Sequence, residues 1–173
     1  AVTDRCNLRC FYCMPEQGLD WLSRSELMTY EEMLQISAVL LKMGVEKIRV
    51  TGGEPFVRKD FMSFLTRLSK LHGLQQLALT TNGVLTAPFV PELKKIGLHA
   101  VNLSLDTLDP NRFFAITRRD VLPSVLETTA TPPTGGQDQC RGDGGEEYRG
   151  YSAPGGAHQK RARECTFHRG NAF

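Results

Sequence analysis

The chain predicts an α/β fold built on a parallel sheet, and two observations carry that expectation. Short β-rich runs alternate with amphipathic helical runs through brief connections, the pattern of a parallel sheet with crossover helices. The motifs that look chemical fall at the carboxyl ends of the β-rich runs, where such sheets bind ligands. A third observation divides the chain. Residues 1–127 are rich in Leu, Ile, Val, Met and Phe, whereas residues 128–173 contain no Leu, Ile, Val or Met and abound in Gly, Arg and Pro.

The elements follow in order. A helix is expected over Tyr30–Met43, after Thr29 as N-cap, with Glu32 completing a capping box and Gly44 ending the helix. Met33, Ile36 and Leu40 recur at helical spacing and form its expected apolar stripe. EKIRVT, residues 46–51, reads as a strand ending in Gly-Gly. A second helix spans about Asp60–His72, with Phe61, Phe64, Leu65, Leu68 and Leu71 on one side and Gly73 as its stop. Leu77–Thr81 is the next strand. Thr86 then caps a helix carrying Phe89, Leu93 and Ile96, closed by Gly97. Ala100–Leu105 is a further strand, and Asp109-Pro110 starts a fourth helix as N-cap and first residue.

The tail has too little apolar surface to offset an ordering cost of roughly 1–2 kcal/mol per residue, so disorder is expected over 128–173. Length and a net charge of +2 point to one domain, with no strong pull toward nucleic acid or a membrane surface. No apolar run approaches the ~18 residues of a membrane span, and no signal-peptide pattern is present. Free cysteines in a cluster-like motif suit a reducing, cytoplasmic compartment.

Cys6, Cys10 and Cys13 form C-x3-C-x2-C in the run CNLRCFYC. Three thiolates on so short a loop can hold three corners of a cubane 4Fe–4S cluster, which ordinarily takes four protein thiolates. Three ligands leave one iron open for chemistry. Two other readings stand beside this one. A zinc knuckle would need a fourth ligand, and the nearest histidine is His72. A disulfide framework would need an even cysteine count in a small secreted domain.

The stretch VTDRCNLRCFYCMPEQG resembles the cluster loop of radical S-adenosylmethionine (SAM) enzymes, and among them the molybdenum cofactor biosynthesis protein A family, the GTP 3′,8-cyclases. KIRVTGGEP (47–55), LTTNG (79–83) and NLSLDTLDP (102–110) follow in that family's order and spacing. The resemblance covers Val2 to about Glu127. It implies the N-terminal part of a partial (β/α)6, TIM-like radical SAM barrel. It further implies that Cys6, Cys10 and Cys13 ligate a 4Fe–4S cluster whose fourth iron is chelated by SAM. Reductive cleavage of SAM then yields a 5′-deoxyadenosyl radical, which takes hydrogen from C3′ of GTP, and the carbon radical attacks C8.

The resemblance also assigns residues. Tyr12, Gly52, Gly53, Glu54 and Ser104 fall at SAM-binding positions, and Arg49 and Thr80 at GTP-contacting ones. Plainer roles remain open: a buried cap for Glu54, a small strand residue for Ser104, and an ion pair with Asp106 for Arg49. Arg5 and Arg9 flank the cluster loop, either offsetting its negative charge or simply solvated. Arg118 and Arg119 read as surface charges, and Trp21 as packing. The implied partners are GTP, an electron donor such as flavodoxin or ferredoxin, and, downstream in the pathway, cyclic pyranopterin monophosphate synthase. A radical SAM enzyme acting on another substrate such as a peptide, and a non-catalytic iron–sulfur or zinc module, are the alternatives.

After Glu127 the family should continue with two more strand–helix units and a second, C-terminal 4Fe–4S cluster held by three further cysteines. Here only Cys140 and Cys165 follow, neither in a C-x2-C pair. Read one nucleotide later with free choice of degenerate codons, QDQCRGD can give K-I-N-A-V-V-M. EEYRGYSAPGGAH can give R-N-T-E-D-I-V-P-L-A-A-L, and RECTFHRGNAF can give V-S-V-R-F-I-E-E-M-P. All three resemble the expected continuation. A frameshift is therefore expected between about Glu127 and Gln137, with a genuine low-complexity tail as the rival. As written, the chain would lack a triphosphate-contacting lysine, a later SAM-contacting methionine, the closing strands and the second cluster. It would also start inside its first strand, lack an upstream GTP-binding arginine, expose apolar strand edges, and be unstable or inactive.

Overall fold

In a computed structural model, residues 1–15, 19–23, 25–130, 138–142, 147–149 and 162–168 are described, the last three stretches as backbone alone. The sheet begins with three parallel strands, β1 (Lys47–Val50), β2 (Gln76–Thr81) and β3 (Ala100–Leu103), as the alternating pattern requires. Register sets what each face carries. Arg49 lies opposite Ala78, which lies opposite Ala100, and Thr80 lies opposite Asn102. Because side chains alternate, these residues share one face. Val50, Leu79 and Val101 are aligned on the other, where Leu79, Val101 and Leu103 are fully buried.

Helices α2 (Phe61–Leu68), α3 (Val90–Lys95), α4 (Pro110–Thr117) and α5 (Leu122–Ala130) supply the rest of the core. Phe61, Phe64, Leu65 and Leu68 of α2 are buried, as are Leu93 of α3, Phe113 of α4 and Val125 of α5. The α2 helix stops four residues short of the expected His72. There the backbone tightens into i→i−3 bonds from Lys70 to Arg67 and from Leu71 to Leu68. Thr86 does not cap a helix with its side chain. A 3-10 turn, Ala87–Phe89, intervenes before α3, and the buried Thr86 hydroxyl instead meets that of Thr81 at 3.0 Å. α5 has no counterpart in the expected elements. It packs Leu122, Val125 and Thr128 inward, and the Thr128 hydroxyl donates to the Gly83 carbonyl at 2.7 Å.

The first helix, α1 (Tyr30–Lys42), has the expected Thr29–Glu32 capping box, and Gly44 follows it at φ +94°. Its buried face is rotated from the expected one. Leu34 and Leu41 are buried and Met33 packs partly, whereas Ile36 and Leu40 are exposed. The helix carries two apolar stripes. Tyr30 stacks on Phe64 of α2 at 4.5 Å between ring centroids, Leu34 and Leu41 are buried, and Ile36, Val39, Leu40 and Met43 are exposed. Aromatic stacking with α2 selects between stripes that helical periodicity alone leaves equivalent.

Asp109 caps α4 by accepting from the Arg112 N–H at 2.8 Å. Asp109→Ala is expected to lower stability by about 1 kcal/mol, read as a fall in the chemical-denaturation midpoint at unchanged slope.

Beyond α5, the backbone of β6 (Ala162–His168) pairs antiparallel with β3, and β4 (Asp138–Gly142) joins β6 to β5 (Glu147–Arg149). The edge of β3, expected to lie bare, is thus paired. Strand pairing uses main-chain groups that any sequence possesses, and every described core residue lies between Val2 and Leu126. The remaining tail residues, 131–137, 143–146, 150–161 and 169–173, lie outside the described residues, as do 16–18 of the cysteine-loop stretch.

Candidate functional site at the carboxyl ends of the parallel strands

The loop bearing Cys6, Cys10 and Cys13 sits on a shelf of main chain. Val2 donates to the Thr51 carbonyl at 2.6 Å, Gly53 to Thr3 at 2.7 Å and Glu54 to Arg5 at 2.8 Å. The N-terminal segment therefore runs along the end of β1 and the Gly-Gly-Glu turn, delivering Cys6 to the rim. The far side of the loop is tied to the end of α4, where Arg9 donates to Thr117 at 2.9 Å and Phe11 to Ile116 at 3.1 Å. Between them the Cys13 and Met14 N–H groups donate to the Cys10 carbonyl, a tight turn that puts Cys10 and Cys13 together. The Arg9 guanidinium braces the loop by donating to the Cys6 and Leu8 carbonyls at 2.5 and 2.8 Å, and it lies 5.8 Å over the Trp21 ring. Arg9 thus holds the loop backbone, and Trp21 packs on Arg9.

All three thiols are free and lie close enough to influence one another's ionisation. Burial raises the Cys10 and Cys13 thiols above the usual value, and the neighbouring thiols and Asp106 raise them further, although the nearby Tyr12 hydroxyl partly offsets this at Cys10. A cationic cluster would relieve that repulsion. Among the described residues, no three Cys, His, Asp or Glu side chains converge closely enough to chelate one ion. Three thiols on one loop can offer one ligand to each of three irons. The donor set fits a 4Fe–4S group with one position left to another ligand.

Tyr12 is more than half exposed, and its hydroxyl donates to Asp106 Oδ2 at 2.7 Å, joining the cysteine loop to the segment after β3. Partial burial, and next the Asp106 bond, push its phenol well above the usual value. Arg49 is exposed and has no ion-pair partner among the described residues, so the alternative pairing with Asp106 is not formed. Arg49 and Thr80 share the polar face of the sheet, and Ser104, just past β3 and exposed, donates its N–H to the Thr81 carbonyl at 2.9 Å.

Gly52 and Gly53 are needed by the shelf itself. A Cβ on Gly52 would lie 2.7 Å from the Thr3 carbonyl oxygen, and one on Gly53 would overlap the Arg5 carbonyl. Glu54 is fully buried, and protein donors occupy both its oxygens. Phe56 N–H and the Thr81 hydroxyl reach Oε1 at 3.2 and 2.9 Å, and Asn82 N–H reaches Oε2 at 2.7 Å. Burial raises its carboxyl above the usual value, and these three bonds pull it back in part. Glu54 is a strut between the turns after β1 and β2.

Asp106, read from the sequence only as a possible partner of Arg49, belongs here, as do Asn82 and Asn102, which were not singled out. Asp106 accepts from Tyr12. Asn82 touches Cys6. Asn102 shares the face of Arg49 and Thr80 and has a buried Oδ1 without a partner. Alternation back from Ser104 could have found Asn102, but no sequence signal pairs Asn82 with Cys6.

The Radical SAM superfamily pattern matches residues 1–129. The chain belongs to the radical SAM superfamily. The GTP 3′,8-cyclase of Peptoclostridium acidaminophilum is 50% identical over 127 residues, covering 73% of this chain and 39% of that relative. Molybdenum cofactor biosynthesis protein 1 of Homo sapiens is 45% identical over 127 residues, covering 73% of this chain and 20% of the relative. This radical SAM chain thus spans about two fifths of the bacterial relative's length and one fifth of the human one's. The solved structure of hexahistidine-tagged anSMEcpe with bound AdoMet superposes with a TM-score of 0.58 at 22% identity, over 75% of this chain and 37% of that one, a likeness of fold. No helix among the described residues is long and apolar enough to cross a membrane.

Proposed function

We propose that this radical SAM chain is part of a GTP 3′,8-cyclase, the enzyme that converts GTP to 3′,8-cyclo-GTP in molybdenum cofactor biosynthesis. The observation that carries the proposal is the convergence, on one rim, of the thiol trio with the turns after β1, β2 and β3, in a sequence 50% identical to a cyclase over 127 residues. Cys6, Cys10 and Cys13 would hold the 4Fe–4S cluster. Gly52, Gly53, Ser104 and Tyr12 would border SAM, and Glu54 would act through the turns it joins. When bound, the cluster and SAM supply the reductive cleavage that generates a deoxyadenosyl radical.

The chain's own contribution is binding and orientation. Arg49, exposed on the polar face with Thr80, offers a delocalised cation suited to phosphate oxygens of GTP. Anaerobic reconstitution with iron and sulfide is expected to give the absorption of a 4Fe–4S cluster whose electron-spin spectrum, after reduction with dithionite, changes when SAM is added. Zinc alone, or iron indifferent to SAM, would refute the reading. Arg49→Ala is expected to weaken GTP binding about tenfold or more, measured by equilibrium dialysis, without changing iron content.

The same proposal places the protein in the cytoplasm with a flavodoxin- or ferredoxin-type electron donor and cyclic pyranopterin monophosphate synthase downstream. Its domain reading is an incomplete barrel over 1–127 and an out-of-frame tail over 128–173. The end of the superfamily match at residue 129, next to the expected shift between Glu127 and Gln137, supports this. The second cluster and the closing strands would lie in the alternate frame, and this polypeptide as written would be inactive. Resequencing the gene decides the matter, because an alternate frame without strand and cysteine codons refutes it.

A further inference from the structure

We propose that Asn82 is a positioning residue that donates its side-chain amide to the Cys6 sulfur, holding that ligand and raising the reduction potential of the cluster it carries. The inference rests on the cluster reading above. Asn82 Nδ2 lies 3.6 Å from Cys6 Sγ and 2.8 Å from Asn7 Oδ1, while Asn82 Oδ1 accepts from the Val84 N–H at 3.0 Å. The acceptor Asn7 Oδ1 and the donor Val84 N–H fix which end of the amide faces the sulfur. The backbone is fixed too, because Asn82 N–H donates to the buried Glu54 carboxyl at 2.7 Å. With the residue only 8% exposed, few other places remain for the amide.

The role follows from the charge. A hydrogen bond to a ligating sulfur draws electron density from it, which favours the reduced, more negative cluster and raises the potential. The Leu8 N–H, 3.4 Å from the same sulfur, acts in the same sense from within the loop. Asn82 differs in coming from the turn after β2, so it couples the ligand to the sheet. A purely local role, in which Asn82 only shapes its own turn through Val84, would leave the potential untouched.

The test compares the reconstituted chain with Asn82→Asp and Asn82→Ser. Aspartate keeps the size and the acceptor for Val84 but loses the donor and adds charge. Serine keeps a short turn contact and falls short of the sulfur. Both are expected to hold their iron and to show a more negative midpoint potential by electron-spin-monitored potentiometry, with aspartate shifted further. Unchanged midpoints in loaded variants would overturn the inference and leave the cluster reading intact. A parent chain that takes up no cluster would overturn both. Should neither variant hold iron, metal-free chains that melt like the parent would support a ligand-holding role, and chains that melt lower would overturn it.

Discussion

Replacing Glu54 with alanine is expected to destabilise the chain by about 2–5 kcal/mol, because each buried donor left without an acceptor costs about 1–3 kcal/mol. The Phe56 and Asn82 N–H groups and the Thr81 hydroxyl all lose their acceptor in a site where Glu54 has no exposure. Thr81 can turn to Thr86, but the two backbone donors have no described alternative. The effect reaches Cys6 because the Asn82 backbone carries the amide that faces its sulfur. Chemical denaturation of the metal-free chain measures the cost. A loss below about 1 kcal/mol would show that water or a neighbour replaces the carboxylate.

The pH dependence has a definite sign. Burial raises the folded carboxyl above its unfolded value of 4.5, so the neutral form is favoured in the fold. That contribution is fully present below the unfolded value and is lost as pH rises through the folded one. The stability difference between the parent and Glu54→Gln is therefore expected to shift against the parent as pH rises from below 4.5. A difference that moves the other way would mean that the three donors outweigh burial.

Gly53→Ala is expected to cost about 1–3 kcal/mol or more and to reduce iron uptake. The added methyl would overlap the Arg5 carbonyl and come within 2.6 Å of the Asp4 carbonyl oxygen, both main-chain atoms that no rotamer change can move aside. Relief requires the Asp4–Arg5 segment to shift, which loosens the Gly53–Thr3 and Glu54–Arg5 bonds and carries Cys6 with it. Gly44→Ala is the control. Its φ of +94° costs about 1–2 kcal/mol, yet a Cβ there meets nothing within 4 Å, so iron uptake should be unchanged. Equal iron content in the two variants would refute the shelf as the element that positions Cys6.

The sequence announced the parallel strands and the thiol trio plainly because both depend on local pattern. Val50, Leu79 and Val101 are each followed by a polar residue, Thr51, Thr80 and Asn102, and three cysteines fall on one short loop. Readings that depended on three-dimensional partners were less accessible. Ile36 and Leu40 fit helical spacing as well as the residues that are in fact buried, and contacts such as Tyr30 on Phe64 separate the stripes. Glu54 reads equally well as a ligand-facing acid or an internal strut until the distances to Phe56, Thr81 and Asn82 are known. Asn82 and Cys6 lie 76 residues apart, and nothing in either neighbourhood marks the other.

The shelf formed by Val2, Thr3 and Arg5 works largely through carbonyl and amide groups that all amino acids share. Substitution surveys would therefore score Arg5 as permissive, since exchanging its side chain leaves the bond from Glu54 in place. Shortening the strip by one residue would put Cys6 out of step with the turn it leans on. The importance of this strip is carried by spacing, and only insertions and deletions would expose it.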